Sequence, residues 1–396
     1  MSRVTRLSNS VKLGDTTVIV MGQAPPGIDC NHEGRGTAFV KAGEFDDRRP
    51  LVREWTTNPM RLARRGDVLV CVVGATAGKV NESIDCAIGR SVAAVRPHSD
   101  RLSSTYLYHY LATQVMRLRA KSQGLAQGVI TREMLQETLI PLPPFPEQCR
   151  IAAILDKADA LRAQRRAAIA QLDTLTQSIF LEMFGDPATN PKGWPRLGLR
   201  EVFWFQEGPG VRKWQFKTKG VKLLNVGNIE ANGKLNLDKT NRYLAEEEAF
   251  GKYRHFLVDA GDLVIASSGI SFDADGLLRT RGAFVSQAQL PLCLNTSTIR
   301  FKSIEEVSDL RFLWVWLSSR EFRDQITKYV TGSAQQNFGP SHLSSLKITL
   351  PPLRLQHDFA RRILGVDRLR VGQAAALASL DALFASLQHR AFRGEL

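Results

Sequence analysis

The sequence has no long hydrophobic run and no sign of a disulfide framework. A stretch of about 18 apolar residues occurs nowhere, and the segment MSRVTRLSNSVKLGD at the N-terminus lacks the apolar core of a secretion signal. The five cysteines are odd in number and scattered, with no CxxC pair and no histidine at zinc-ligand spacing. We therefore expect a cytoplasmic chain with reduced thiols, no metal site and no membrane span.

Motifs of common catalytic sites are also missing. GATAGKV at 74–80 resembles a phosphate-binding loop, but only three residues separate Gly74 from Gly78, and Val80 follows Lys79 where Ser or Thr is needed. No GxGxxG follows a strand, and HExxH, GxSxG and the Asp/Asn-Pro-Pro-aromatic tetrapeptide of adenine methyltransferases are absent. We expect no catalytic residues and no cofactor in this chain.

Acidic residues are too few to balance the basic ones. The chain has 53 Lys and Arg against 39 Asp and Glu, so its net charge is +14. Such an excess favours a polyanionic partner, with DNA or RNA before acidic lipid. A basic enzyme or a ribosome-associated protein is the alternative on charge alone.

One short pattern is written twice. LIPLPPFPEQCRI at 139–151 and KITLPPLRLQHDF at 347–359 share the order strand, Leu-Pro-Pro, glutamine, helix. The numbers of Pro143 and Pro351, and those of Gln148 and Gln356, each differ by 208. A constant offset indicates an internal repeat.

Each copy of the pattern opens a long helix. Between Gln148 and Phe184 there is no proline or glycine, and an apolar residue recurs every three or four positions. The same offset of 208 reproduces this seam in the C-terminal helix, with Arg165 and Gln373 as its matching polar members. About 35 residues make a helix about 50 Å long, and its apolar stripe needs a partner. The helix-pairing residues that we predict are Leu161, Leu172, Leu175, Ile179, Leu369, Leu380, Leu383 and Leu387.

The repeat predicts an α/β (α+β) protein with pseudo-twofold internal symmetry. Two globular domains would each precede a long helix, and the two helices would pair as an antiparallel coiled coil. The alternative is that each helix packs only on its own domain. The expected segments are a first domain at 1–145, a helix at 146–190, a second domain at 191–353 and a C-terminal helix at 354–396.

A basic and aromatic stretch, GPGVRKWQFKTKG at 208–220, is the strongest signal for nucleic-acid binding. If it is a β-strand, Arg212, Trp214 and Phe216 share one face and Lys213, Gln215 and Lys217 share the other. Gln215 would then read adenine or bridge to a phosphate. A solvated strand with an aromatic core face is the alternative.

The whole chain resembles the specificity subunits of type I restriction–modification systems. The resemblance is carried by VKLGDTTVIVMGQAPPG near the N-terminus, the joint IPLPPFPEQCRIAAILDKADAL, the helix exit SIFLEMFGDP and the C-terminal HRAFRGEL. One departure is that the second joint has Leu355 before Gln356, where the first has Glu147 before Gln148.

This resemblance implies a non-catalytic DNA-binding subunit. Each globular unit would be a target-recognition domain for one half of a split, asymmetric double-stranded DNA site, and the helices would be the spacer. Two copies of a methylation subunit would bring S-adenosylmethionine for N6-adenine methylation. Restriction subunits would bring ATP and Mg²⁺ chemistry.

The DNA contacts that we predict are polar and basic loop residues. Thr76 and Lys79 are expected to approach a phosphate. The full set is Gln23, Thr76, Lys79, Arg90, Gln127, Arg132, Arg212, Lys213, Gln215, Lys217, Ser268, Arg281, Gln287 and Gln335.

Three other functions fit parts of the sequence. The chain could serve a combined restriction–methylation enzyme that lacks a translocating ATPase. It could be a coiled-coil scaffold whose basic surface binds RNA or an acidic protein. A nuclease or methyltransferase acting alone is disfavoured by the missing motifs.

Overall fold

The computed structural model describes residues 10–123, 129–230, 232–272, 278–329 and 336–396. Its contacts divide the chain into two compact units. The first unit runs to Ala167 and includes Ala374–Leu396, and the second is Ala168–Gln373. Gln127 and Gln335 lie outside the described residues.

The first unit contains eleven strands and two helices of its own among the described residues. The strands are β1 Ser10–Lys12, β2 Thr17–Met21, β3 Cys30–Asn31, β4 Thr37–Val40, β5 Trp55–Thr56, β6 Leu62–Ala63, β7 Val68–Cys71, β8 Val80–Glu82, β9 Cys86–Ile88, β10 Val92–Pro97 and β11 Leu139–Pro141. The helices are α1 Ser104–Gln123 and α2 Arg132–Gln136, and α3 Phe145–Phe184 continues from this unit into the second.

The second unit is built from the same parts. Its strands are β12 Arg196–Gly198, β13 Phe203–Glu207, β14 Val221–Leu224, β15 Tyr243–Leu244, β16 Leu263–Ala266, β17 Ser268–Phe272, β18 Leu278–Arg279, β19 Gly282–Phe284, β20 Leu292–Leu294, β21 Thr298–Ser303, β22 Gln336–Asn337 and β23 Lys347–Thr349. Its helices are α4 Leu199–Val202, α5 Glu246–Phe250, α6 Leu310–Trp316, α7 Arg320–Ile326 and α8 Pro340–Ser344, and α9 Leu353–Ala391 returns to the first unit.

The main sheets of the two units have the same strand order. In the first unit the order is β2-β10-β7-β8, and in the second it is β13-β21-β16-β19, with every neighbouring pair antiparallel. The strands β1 and β11 also pair as β12 and β23 do, and each unit has a further sheet with one parallel pair, β4 with β9 and β14 with β20. The internal repeat predicted from the joints therefore extends to the topology of the domains.

The residues of the central strands explain this order. Strands β7 (VLVC) and β16 (LVIA) are buried along their whole length, as expected for strands covered on both faces. Each begins after a Gly-Asp turn, in which Gly66 and Gly261 have φ values of +95° and +91° that favour glycine. No helix among the described residues is long and apolar enough to cross a membrane.

The helices α3 and α9 contact each other within each unit. In the first unit Arg150 donates to the carbonyl of Leu396 (2.9 Å) and Arg162 pairs with Asp381 (2.6 Å), so the chains run in opposite directions there. In the second unit the ring of Phe359 lies 5.6 Å from that of Phe180. A regular coiled coil along both helices stays a prediction.

Half of the predicted pairing register is wrong. Leu172, Ile179, Leu380 and Leu387 are half-buried, but the other four leucines are exposed. These are Leu161 at 44%, Leu175 at 42%, Leu369 at 59% and Leu383 at 51%. An idealised 3.5-residue repeat drifts by about 20° per heptad from a straight helix, and in the first unit Leu155, Ala158, Phe384 and Ala391 are buried instead.

The glutamine of each Leu-Pro-Pro joint fastens the long helix to its domain. Gln148 accepts a hydrogen bond from the N–H of Ser103 (2.9 Å) and donates to the carbonyls of Arg101 and Pro143 (both 2.9 Å). Its side chain is fully buried, so each bond satisfies a group that water cannot reach.

Gln356 does the same in the second unit. It accepts from the N–H of Asp309 (2.9 Å) and donates to the carbonyls of Val307 (3.3 Å) and Pro351 (2.8 Å). The repeated glutamine therefore fixes the angle between each domain and its helix.

Candidate nucleic-acid interface

One end of the main sheet in the first unit is closed by a tight crossing. The N–H of Gly22 donates to the carbonyl of Val92 (2.9 Å), and Val92 is paired with Cys71. A Cβ on Gly22 would lie 2.1 Å from the carbonyl oxygen of Gly89, so only glycine fits there. The ends of β2, β10 and β7 are thus held together, and the loops beyond them share one surface.

Three predicted contact residues lie on these loops, and we call them the first rim: Gln23, Thr76 and Arg90. All three side chains are exposed. The N–H of Gln23 donates to the carbonyl of Ile88 (2.9 Å), which brings it close to the turn that carries Arg90. An amide, a hydroxyl and a guanidinium are the groups that proteins use to contact bases and phosphates.

Lys79 differs from its neighbours on the Gly-rich loop. Its ammonium donates to the carbonyl of Phe45 (3.0 Å), so the structure gives it an internal role in place of the predicted phosphate contact. Thr76 stays at the surface, with its hydroxyl 3.2 Å from the sulfur of Cys71. A shallow cavity of about 320 Å³ adjoins the loop. Its lining is Asp47, Thr76, Lys79, Val80, Tyr108, Ala112, Val115 and Arg119.

The second unit has the equivalent sheet end. Gly208 donates to the carbonyl of Thr298 (3.0 Å), and Ala266 both pairs with Thr298 and donates to the carbonyl of Arg281 (2.8 Å). Ser268 follows directly on this strand end. The structure therefore places Ser268 two residues after Ala266, which bonds to Arg281, at the same end of the sheet.

Gln287 is separated from that pair. It lies on the short 3-10 helix Gln287–Gln289 beyond Phe284, which pairs with Leu263 at the far end of β16. Its side chain is exposed. The structure places it away from the residues with which the sequence had grouped it.

The basic and aromatic stretch is not a strand. Lys213–Gln215 is a 3-10 turn, and Gln215 is only 4% exposed. Its side chain accepts from the N–H of Arg212 (3.1 Å) and donates to Glu248 (3.2 Å) and the hydroxyl of Tyr253 (3.1 Å). The prediction that Gln215 reads a base is therefore wrong, because its hydrogen-bonding groups are occupied inside the domain.

The cations around Gln215 point outward, and we call them the second rim: Arg212, Lys213 and Lys217. All three are exposed, and none forms an ion pair with another residue in the described part of the chain. Arg132, the first residue of α2, is also exposed. Ile130, two residues before Arg132, donates to the carbonyl of Val72 (2.9 Å). This bond joins the start of α2 to the rim end of the first sheet.

An ion pair with a buried carboxylate lies at the opposite end of each sheet. Arg96 binds both oxygens of Asp67 (2.9 and 2.8 Å), and this hydrogen bonding raises the pKa of Arg96. In the second unit burial raises the pKa of Asp262, which lies 3.6 Å from Arg300. These ion pairs join residues of the sheet to each other, at the end of the sheet opposite the rims. Among the described residues, no group of His, Cys, Asp and Glu could hold a metal ion.

One exposed apolar residue beside each rim is not among the predicted contacts, although Trp214 lies in the basic and aromatic stretch. Ile28 is 94% exposed at the centre of the 3-10 turn Gly27–Asp29, and Trp214 is 76% exposed at the centre of Lys213–Gln215. Gly22 and Gly208 differ by 186 in number, as do Ile28 and Trp214. That second offset was the available signal, and it was hidden because the two loops share almost no residues.

Known proteins share both the sequence pattern and the fold. The model of the type I restriction modification DNA specificity domain matches residues 55–171 and 191–372. The MjaVIII specificity subunit of Methanocaldococcus jannaschii is 23% identical over 325 residues, which cover 79% of this chain and 75% of that protein. The EcoBI specificity subunit of Escherichia coli is 22% identical over 355 residues, covering 81% and 72%.

Solved structures show the same architecture. The S subunit of a type I restriction–modification system from M. genitalium has a TM-score of 0.58 at 15% identity and covers 99% of both chains. This likeness concerns the fold. The two domain matches span most of the sequence, and each contains one of the two Leu-Pro-Pro joints. The chain therefore belongs to the type I restriction–modification DNA specificity family.

Proposed function

We propose that this chain is the non-catalytic subunit that recognises a bipartite, asymmetric DNA site and directs methylation and restriction subunits to it. The main supporting observation is that the two units share one strand order while their rims differ. A shared frame with different surfaces suits two half-sites of different sequence. The net charge of +14 supports binding to the phosphate backbone.

The chemistry of the two rims supports the asymmetry. The first rim has an amide, a hydroxyl and one guanidinium at Gln23, Thr76 and Arg90. The second unit has Ser268 and Arg281 at the equivalent sheet end, and its rim has three cations at Arg212, Lys213 and Lys217. Amide and hydroxyl groups can distinguish base edges, whereas cations bind guanine or phosphates. The two units would therefore read different bases.

The long helices offer a surface for the methylation subunits. Leu161 and Leu369 occupy equivalent positions 208 residues apart, as do Leu175 and Leu383, and all four are exposed. Single exposed leucines are ordinary, but exposure at matching positions of a repeat favours two equal docking sites. In this proposal the partners supply S-adenosylmethionine, N6-adenine methylation and the ATP- and Mg²⁺-dependent restriction step.

The test is methylation sequencing of DNA from cells that express this chain with the methylation subunit encoded beside it. We expect a new adenine mark at a split, asymmetric motif, absent when the methylation subunit is expressed alone. Exchanging residues 10–123 for those of a relative should change one half of the motif and leave the other. If the assembled pair makes no such mark, the scaffold function with RNA or an acidic protein as ligand replaces this proposal.

A further inference from the structure

The two units present an exposed apolar side chain at the same place in their folds. Ile28 follows β2 and Trp214 follows β13, each six residues after the glycine that closes the sheet end. Both are the middle residue of a 3-10 turn. The chain then forms a short antiparallel pairing in each unit, Asn31 with Trp55 and Lys217 with Tyr243.

Both turns are held rigidly, although by different bonds. The Trp214 turn is fixed by the buried side chain of Gln215 and by two backbone hydrogen bonds between Lys217 and Tyr243 (2.9 and 3.2 Å). The Ile28 turn is fixed through Asp29, whose carboxylate accepts from the amide of Asn58 (3.0 Å) and whose carbonyl accepts from the N–H of Thr57 (3.0 Å). Neither apolar side chain is needed to hold its own turn.

Folding alone does not account for these positions. An apolar side chain stabilises a protein by leaving water, and Ile28 and Trp214 remain 94% and 76% exposed. Scattered exposed hydrophobic residues need no explanation. Two apolar side chains exposed at equivalent points of the fold, on loops that otherwise share almost no residue, do need an explanation.

The charge around Trp214 identifies the partner. Segment 208–220 carries Arg212, Lys213, Lys217 and Lys219, all exposed, and contains no acidic residue. The carboxylate of Glu248 contacts this turn and accepts a hydrogen bond from Gln215. In the first unit the loop that binds Asp29 continues into segment 57–65, which has Arg61, Arg64 and Arg65 and again no acidic residue. An apolar side chain with cations on both sides of it in the chain, as at Trp214, fits a stacked polyanion, that is, duplex DNA. Ile28 occupies the same place in the fold but has Asp29 beside it, and the three arginines follow on the neighbouring loop.

We propose that Ile28 and Trp214 are wedge residues that each enter a base step of one half-site and partly unstack it. This inference rests on the proposed function and assigns a specific action to each rim. Around Trp214 the cations hold the phosphates on both sides, and in each unit the rigid turn presses the apolar side chain against the bases. Apolar wedges of this kind kink DNA and make the sequence at the kink part of the recognition.

The experiment uses the full chain in complex with its methylation subunit and a synthetic duplex carrying the mapped site. 2-Aminopurine replaces one base at a time, and its fluorescence rises where the neighbouring base is unstacked. We expect one rise from the wedge in each half-site. Trp214→Ala should remove the rise in one half-site and weaken binding about 10-fold, as expected for the loss of one stacked base. Ile28→Ala should remove the other rise with a smaller loss, about 3-fold.

Matched controls separate this effect from general damage. Trp214→Phe keeps a stacking ring and should keep its rise. Phe250→Ala and Val18→Ala remove side chains that are 51% and 48% exposed elsewhere in the same units and should change nothing. The signal from the methylated adenine itself, which the partner subunit extrudes, should persist in every variant.

Three results would overturn the inference. Both alanine variants could keep the DNA affinity, the fluorescence and the methylation motif of the wild-type chain. That result would reject the wedge assignment but not the proposed function. Weaker assembly with the methylation subunit, but normal DNA affinity once assembled, would make these residues protein contacts. Absence of any directed methylation by the wild-type chain would remove the proposed function, and this inference with it.

Discussion

The two units fasten the same pair of helices with different chemistry. In the first unit His109 is 1% exposed and donates to Asp156 of α3 (2.7 Å), and Arg48 binds the same carboxylate oxygen (2.8 Å). Beside them Arg162 pairs with Asp381 of α9 and lies 4.3 Å from the ring of Phe384. A polar network therefore fills the contact between domain and helices.

The second unit has a cluster of phenylalanines at its contact. Phe180 and Phe184 of α3 meet Phe359 of α9 and Phe312 of α6, with ring centroids 5.1 to 5.6 Å apart. One ion pair, Arg311 with Asp367 (3.3 Å), is the comparable polar contact. A repeat can thus keep its geometry while one copy depends on charge and the other on apolar burial, so the two units should respond differently to mutation and to pH.

The largest effect is expected from breaking the aromatic contact. Phe359 is fully buried, and Phe359→Ala should cost the second unit about 3–5 kcal/mol of unfolding free energy, since a large cavity remains. Hydrogen-exchange mass spectrometry reports each unit separately and should show lost protection in 168–373 alone. The control is Phe250→Ala, an exposed position, which should leave protection unchanged. Equal loss in both units would mean that they unfold together.

Replacing the joint glutamines should destabilise the two units equally. Gln148→Ala and Gln356→Ala each leave one N–H and two carbonyls without their partner in a buried site, at a cost of about 2–3 kcal/mol. Each loss should appear only in its own unit in the same exchange experiment. Gln164→Ala, on the exposed face of α3, is the control. A strong effect from one glutamine and none from the other would show that the joints are not equivalent.

These joints also show what the sequence could predict. The two long helices and the repeat were predicted from the Leu-Pro-Pro pattern and its constant offset, which short stretches of the chain already show. The partners of the joint glutamines were not predicted, since the side chain of Gln148 binds Ser103 and Arg101, which are distant in sequence. The roles of Lys79 and Gln215 were not, since their partners Phe45, Glu248 and Tyr253 are distant in sequence. Helix register failed for a related reason: burial on α3 is decided by the neighbouring helix.

A fall in pH should weaken the first unit and not the second. Burial lowers the pKa of His109 despite its bond to Asp156, so the unfolded chain takes up a proton more readily than the folded one. The first unit therefore loses stability as pH falls below about 6.5, the ordinary histidine value. Burial raises the pKa of Asp262, so this group in the second unit favours the folded state as pH falls toward about 4.

Hydrogen exchange between pH 8 and 5, corrected for the intrinsic rate, measures both trends. His109→Gln keeps a donor for Asp156 but does not titrate, and it should flatten the pH dependence of the first unit. The second unit of that variant serves as the internal reference. A first unit that is equally stable at pH 7 and pH 5 would contradict the assignment to His109.

Replacing the exposed leucines of the long helices should have the smallest effect on stability. The same replacements should have a large effect on assembly with the methylation subunits. Leu161→Asp and Leu369→Asp change surface positions in different units, and each should alter the unfolding free energy by no more than about 0.5 kcal/mol. If each leucine belongs to one of two equal docking sites, either variant should bind one methylation subunit and the double variant none, as counted by native mass spectrometry. Leu181→Asp is the matched control, since Leu181 is 49% exposed on α3 but its repeat counterpart is His389. Two bound subunits in both single variants would mean that the docking surface uses other residues, and the equal burial pattern of the four leucines would then reflect only helix geometry.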